Sequence, residues 1–423
     1  MNIKDKLSLD KVAKSILRTN DRGSYTVPTA GLYPYQWNWD SAFAALGFAT
    51  FDLDRAWIEI ETLFSAQWPN GMVPHIIFHK DDPGYYPGPE VWGTHGIGPI
   101  SSSGISQPAI AATMIRSIWE QDKDRGEMHL RTLLPKIKAW HKWFMDWRTD
   151  ENGAVFLTHP WEAGRDNSPD WDTAMAMIDP VGVGEYTRRD IGHVDAAMRP
   201  TKADYDRYIW LVDQGRKLRW NEEEMARERT FMVADPTLTF ILLRANRDLA
   251  RMSEDLGEDR TEIDAWSKTL EAGAAQLRNP KTGIFEAINL QTKEFTGHIT
   301  SASFLCWYAR LDDPRTYDAL KKCLKTCRYP IPSLAMGSPH FNGFAYWRGP
   351  TWAIMNCMIG MGLADMGHFE AAKKLRHLTR DLIAEYGFAE YFHPLTGAPA
   401  GGGTFTWTAA VWLAWASPSA GEQ

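Results

Sequence analysis

Between His159 and Asp172 the chain reads HPWEAGRDNSPDWD, a short stretch that holds four carboxylates, Glu162, Asp166, Asp170 and Asp172, together with Trp161 and Trp171. Its Gly, Asn, Ser and Pro residues favour turns, and their side chains compete with regular backbone hydrogen bonding, so the segment reads as a loop. Acidic groups beside indole faces are what cleavage of a sugar bond needs. One carboxyl must keep its proton near neutral pH, and aromatic faces suit the apolar faces of a pyranose. The competing reading is a solvated acidic loop with a capping aspartate. Glycosidic cleavage usually employs a second carboxyl group, as nucleophile or as base for water. The chain offers one far along the sequence and again among aromatics, Glu390 in FAEYFHPLTG, which is otherwise a surface glutamate near a helix end. The APAGGG that follows predicts a flexible loop around it.

The remaining elements have to bring these loops together. In WNWDSAFAALGFA, Asp40 is either the N-cap of the helix that follows or a hydrogen-bond acceptor for sugar hydroxyls above a floor of Tyr33, Trp37 and Trp39. His79 to Gly104 is dense in Gly, Pro and Ser but carries Tyr85, Tyr86 and Trp92. A loop of that length in a compact domain is usually disordered or functional, and the aromatics favour a rim or lid that closes on substrate. Ser106 is placed to cap the next helix, with Pro108 in its first turn and Gln107 at its mouth. Helical periodicity runs over residues 10–18, 53–67, 128–147, 204–218, 260–277, 301–308, 314–327, 347–364, 368–386 and 404–416. The clearest helix starts at Asp235 as cap and Pro236 as first residue, and stops at Gly257. NPKTGIFEAINLQTKEFTG reads as a hairpin. About a dozen helices, some apolar all round and others amphipathic, predict an all-α toroid of inner helices covered by outer ones, which periodicity alone does not separate from a helical solenoid.

The chain has 423 residues, 44% hydrophobic and 23% charged, and no linker-like tract, so a single domain over residues 1–423 is expected. A net charge of -7 with both signs interspersed leaves no basic stripe for nucleic acid and no polybasic membrane patch. It leaves room for a neutral or mildly anionic small substrate, and for a homo-oligomer. Cys306, Cys323, Cys327 and Cys357 form no CxxC pair and are expected as free, mostly buried thiols. The first residues lack the apolar core of a signal peptide, and Thr351 to Ala364 is shorter than the roughly 20 residues that span a bilayer, so a cytoplasmic location is expected. There is no HExxH motif, and GGGTF at Gly401 lacks the residues of a nucleotide loop, so neither a metal nor any other cofactor is implied.

HPWEAGRDNSP resembles the acid-bearing motif of bacterial glycoside hydrolase family 63, and most closely its branch of mannosylglycerate and glucosylglycerate hydrolases. GLYPYQWNWDSAF (Gly31 to Phe43), DYDRYIWL (Asp204 to Leu211), ADPTLTFILLRANRDLA (Ala234 to Ala250), YWRGPTW (Tyr346 to Trp352) and AEYFHPLTG (Ala389 to Gly397) fall in that family's order over nearly the whole chain. The resemblance implies an (α/α)6 barrel and an inverting hydrolysis, with Asp166 as general acid and Glu390 as general base. It places Tyr33, Trp39 and Asp40 at the glycosyl subsite, has Trp347 and Trp352 contact the sugar, and has Tyr85, Gln107, Arg199 and Tyr205 grip glycerate. A guanidinium fork is the best holder of that carboxylate. Inversion leaves room for water, which sets the two carboxyl groups about 6.5–9.5 Å apart. An acid that is protonated at working pH calls for a raised pKa at Asp166, through burial against Trp161 or Trp171. Glu162, Asp170 and Asp172 are then structural. Three alternatives stay open: an α-glucosidase or trehalase-like enzyme needing no aglycone arginine, a sugar isomerase or epimerase needing paired histidines, and a non-catalytic carbohydrate-binding module.

Overall fold

The computed structural model describes residues 3–188, 192 and 195–421, which are mostly helical with a few two-residue strands. Six segments, Asn38–Ala49, Ala111–Trp119, Pro236–Asp255, Ser301–Cys306, Ala353–Asp365 and Thr406–Val411, pack each against the next, and the last returns to the first. Asn38–Ala49 and Thr406–Val411 are buried at every residue. Small residues make this possible: a methyl added to Gly47 would lie 2.7 Å from Ala410 Cβ, and one on Gly362 would lie 2.1 Å from the Tyr308 backbone nitrogen.

A second set covers the first. Leu53–Ser65 lies on Asn38–Ala49, Lys123–Trp147 on Ala111–Trp119, Thr261–Gln276 on Pro236–Asp255, Pro314–Thr326 on Ser301–Cys306, and Phe369–Tyr386 on Ala353–Asp365. These helices are amphipathic, with one apolar stripe inward and charges outward. Ile3–Asn20, longer than periodicity alone gives, packs on Thr406–Val411. Asp10 accepts hydrogen bonds from Trp412 Nε1 (2.7 Å) and Ser417 Oγ (2.8 Å), so the two ends of the chain are held to each other.

The strands sit where the chain enters the loops of interest. Gln36–Trp37 pairs with Ile76–Ile77 just before Trp39 and Asp40. Phe156–Leu157 is the edge of a four-stranded antiparallel sheet continued by Val233–Ala234, Ile288–Asn289 and Glu294–Phe295, the last two being the expected hairpin. Tyr391–Phe392 pairs with Pro399–Ala400 just after Glu390.

Asp235 caps its helix as expected, its side chain accepting from Leu238 N, with Pro236 as first residue and Gly257 left-handed beyond the end. Ser106 does not cap: its helix begins at Ala111, and the hydroxyl instead donates to Val73 O (2.7 Å) and accepts from Trp140 Nε1 (2.9 Å). The helix expected from Trp347 starts at Ala353, because Gly349 and Pro350 break the run and Tyr346 takes a left-handed backbone (φ 48°). The last helix turns into a wider, π-type turn over Trp412–Ala416. All four cysteines are free thiols, three of them buried.

Candidate active site

The strand Phe156–Leu157 delivers the chain into two short 3-10 turns, Pro160–Ala163 and Pro169–Trp171, with Asp166 between them. Far from being a solvated acidic loop, the segment is nearly all buried, and three of its four acids are each matched by an arginine. Glu162 accepts from Arg148 Nε (3.0 Å) and from Thr158 N (2.6 Å). Asp170 accepts from Arg165 Nη1 at 2.9 Å, and the same guanidinium reaches Asp235 at 2.6 Å. Asp172 pairs with Arg348, which also donates to Asn167 O (3.1 Å). The Arg148 and Arg165 pairs are buried and fix geometry, since each leaves an uncompensated charge if its partner is lost, whereas the Arg348–Asp172 pair is partly exposed.

Asp166 is the half-buried acid of the loop that lines a cleft, which encloses about 880 Å³ with its open mouth. Its carbonyl oxygen accepts from Tyr208 Oη at 2.8 Å, which fixes the turn. Gly164 has φ 67°, and a Cβ there would lie 2.5 Å from Trp39, so only glycine lets this indole seat under the loop. Of the two tryptophans flanking the acid, Trp161 lines the cleft, whereas Trp171 lies under the Arg165 guanidinium and donates to Arg165 O (2.8 Å).

Glu390 lines the same cleft, and at 1% exposure it is not a surface residue. It accepts four hydrogen bonds: from Tyr33 Oη (3.1 Å) and Tyr346 Oη (3.2 Å) at one oxygen, and from Arg199 Nη2 (3.2 Å) and Gly402 N (3.2 Å) at the other. The glycines after it serve this approach. A Cβ on Gly401 would lie 2.1 Å from Glu390 Oε2. Asp40 is the third acid of the cleft and falls inside the first turn of Asn38–Ala49, not at its cap, which is Trp37. Burial raises its pKa well above the usual aspartate range, and the charges of Glu390 and Asp166 add to the rise. Asp40 is therefore held towards its neutral form, in which it both donates and accepts.

Tyr33, Trp39, Tyr85, Gln107, Arg199 and Tyr205 all reach the cleft as well. Gln107 Oε1 accepts from Trp39 N (3.2 Å), and Arg199 Nη1 donates to Tyr33 Oη (2.9 Å) with its guanidinium 4.4 Å from the Tyr346 ring. Trp347 and Trp352 do not line it. They stack on each other at 3.9 Å and 4°, both buried, because Asn167 Oδ1 takes Trp347 N (2.8 Å) and draws the turn inward. What reaches the cleft from that turn is Tyr346, one residue earlier, which sequence reasoning passed over. Its signal was its place in YWRGPTW ahead of the Gly-Pro break. Trp407, whose Nε1 donates to Glu390 O (3.2 Å), and the buried His75 also line the cleft, and their sequence surroundings carried no comparable signal. Burial first, and then His159, hold the His75 imidazole well below its ordinary pKa, hence neutral.

Among the described residues no group of three or more His, Cys, Asp and Glu is arranged to hold a metal ion, and no helix is long and apolar enough to cross a membrane. Three acids, a buried guanidinium, phenols and indoles facing one cleft are suited to proton transfer at both sides of a sugar–oxygen bond.

The family model for the mannosylglycerate hydrolase MGH1-like glycoside hydrolase domain matches residues 33–408. Mannosylglycerate hydrolase MGH2 of Selaginella moellendorffii is 42% identical over 414 residues, 96% of this chain and 85% of the relative. The glucosylglycerate hydrolase of Mycolicibacterium hassiacum is 34% identical over 429 residues, 95% of this chain and 96% of the relative. The crystal structure of the GH63 mannosylglycerate hydrolase from Thermus thermophilus in complex with Tris and D-glycerate superposes with a TM-score of 0.92 at 40% identity, covering 96% of this chain and 99% of that one.

Proposed function

The chain belongs to the mannosylglycerate hydrolase MGH1-like glycoside hydrolases, and from that premise we propose that it cleaves the α-glycosidic bond of mannosylglycerate or glucosylglycerate with inversion, releasing sugar and glycerate. The observation that carries the reading is the pairing, across one cleft, of Asp166 on its anchored turn with Glu390 under four donors. Asp166 gives its proton to the glycosidic oxygen as the bond breaks. Glu390 takes a proton from the water that attacks the opposite face of the sugar. Asp40, neutral and buried beside Trp39, exchanges hydrogen bonds with the hydroxyls of the ring.

Arg199, which also pairs with Glu390, puts a buried guanidinium on the cleft wall and so supports a carboxylate-bearing aglycone. Tyr85, Gln107 and Tyr205 stand with it as the glycerate side, and D-glycerate bound in the Thermus enzyme is in keeping with such a subsite. Tyr85, Tyr86 and Pro87 bring the 79–104 loop to the mouth, where Tyr86 stacks on Tyr186 at 4.7 Å. We read this loop as the lid. The six mutually packed inner segments and their outer covers are read as one (α/α)6 barrel forming one catalytic domain.

Initial rates on mannosylglycerate, glucosylglycerate, trehalose and kojibiose test the substrate. The proposal expects turnover of a glycerate glycoside, with KM rising at least tenfold in Arg199→Lys. Turnover of the disaccharides alone would move the function to an α-glucosidase.

A further inference from the structure

A second cavity, about 450 Å³ with its open mouth, lies behind the acid-bearing loop. Thr158 and His159 form one of its walls but do not reach the active-site cleft, so the start of that loop separates the two. Another wall is the Trp220 indole. Arg219 and Trp220 both take left-handed backbones (φ 51° and 55°), which swings the ring between Gly104 and Gly215. A Cβ on either glycine would lie within 2.1 or 2.3 Å of it, and Trp220 Nε1 is fixed by Trp92 O at 2.9 Å. With Leu211 and Phe231, this makes most of the surface apolar.

Thr158, His159, Gln214, Glu228 and Thr230 add polar groups to the lining, and its cation is Arg229. Its Nη2 donates to Trp147 O (2.8 Å) and its guanidinium lies 4.9 Å from the Phe156 ring, while Nε is buried with no partner. The nearby acids are already engaged, Glu162 and Glu222 both by Arg148 at 3.0 and 2.8 Å, and among the described residues Arg229 forms no ion pair. Glu228 is at the wall but exposed, its charge screened by water. Burial and the neighbouring Arg148 hold the Arg229 pKa down at about 10, as expected for a guanidinium short of negative charge.

We propose that this cavity is a second binding site, distinct from the active-site cleft, for a small organic monocarboxylate with a short apolar chain. The carboxylate meets the Arg229 guanidinium at the cavity wall, and the chain lies along Leu211, Trp220 and Phe231. One guanidinium on an apolar wall matches a single carboxylate fork.

The probe is 4,4,4-trifluorobutyrate, followed by fluorine NMR with wild type, Arg229→Gln, Leu211→Phe and Arg199→Gln, and compared with the uncharged 4,4,4-trifluorobutyramide. Binding of the carboxylate is expected in wild type and in Arg199→Gln. It is expected to weaken at least tenfold in Arg229→Gln, in the cavity-narrowing Leu211→Phe and for the amide. Absence of binding to wild type overturns the proposal. So does loss of binding in Arg199→Gln alone, which would put the probe in the active site, or equal affinity for the amide. If Arg229→Gln does not fold, Leu211→Phe and the amide decide.

Discussion

At Asp166 and Glu390 the two carboxyl groups are held by different means, and their substitutions should fail differently. Asp166 rides on a turn fixed through its backbone, whereas Glu390 is fixed through its own oxygens. Removing either proton-transfer group should lower kcat about 10²–10⁴-fold. A glycoside with a good leaving group, such as a dinitrophenolate, needs no proton from the enzyme. It should restore much of the rate to Asp166→Asn and none to Glu390→Gln, and rescue of Glu390→Gln but not of Asp166→Asn would reverse the assignment. Asp40 makes a pH prediction. Its folded pKa lies above its unfolded one, so the native state binds the proton more tightly, and stability falls as pH rises from about 3.9 through the folded value. Asp40→Asn lacks this loss. Its melting temperature relative to wild type should therefore climb across that window, and a flat difference would show that Asp40 ionises freely. The acids and Tyr33, Trp39 and Arg199 were legible because residue type and motif mark them. Tyr346 was not, because which residue of YWRGPTW faces the cleft is decided by a left-handed backbone and by the Asn167 contact, both set by tertiary packing.

The elements carry the geometry, and two of them can be broken selectively. Arg165 ties the acid loop to Asp170 and, across 70 residues of sequence, to the cap residue Asp235, with all three groups buried. Arg165→Met leaves two buried carboxylates without their cation, which should cost about 3–5 kcal/mol in denaturant unfolding. A cost under about 1 kcal/mol, the scale of an exposed pair, would contradict the burial. Gly401→Ala puts a methyl against Glu390 Oε2 in a backbone at φ 73°. It should lower kcat far more than it raises KM, and an unchanged kcat would mean that the glycines do not position the base. Here the APAGGG composition predicts a flexible loop. Composition signals loop, but not that the glycines exist to let a carboxylate approach. Ser106 failed as a cap for a related reason: capping motifs are local, and its hydroxyl is claimed by Val73 and Trp140 from distant segments.

For the whole molecule, the inner and outer helices could be told apart by their periodicity, while their order in space could not, since it depends on which all-apolar surfaces meet at long range. The seam between chain ends is the most distant of these contacts. There Gly47 lies against Ala410, and Asp10 holds Trp412 and Ser417. Gly47→Val overpacks the seam and should destabilise the fold by about 1–3 kcal/mol while the folded fraction keeps its kcat. A fall in kcat without a fall in stability would mean that the seam acts on the site. The central claim is that Asp166 and Glu390 flank the sugar with room for a water between, and the stereochemistry of the product tests it most directly. With an α-linked glycerate glycoside followed by proton NMR from the first minute, the account predicts that the β-anomer of the free sugar appears first and then mutarotates. An α-anomer formed first would contradict it, requiring a covalent intermediate and carboxyl groups about 5 Å apart.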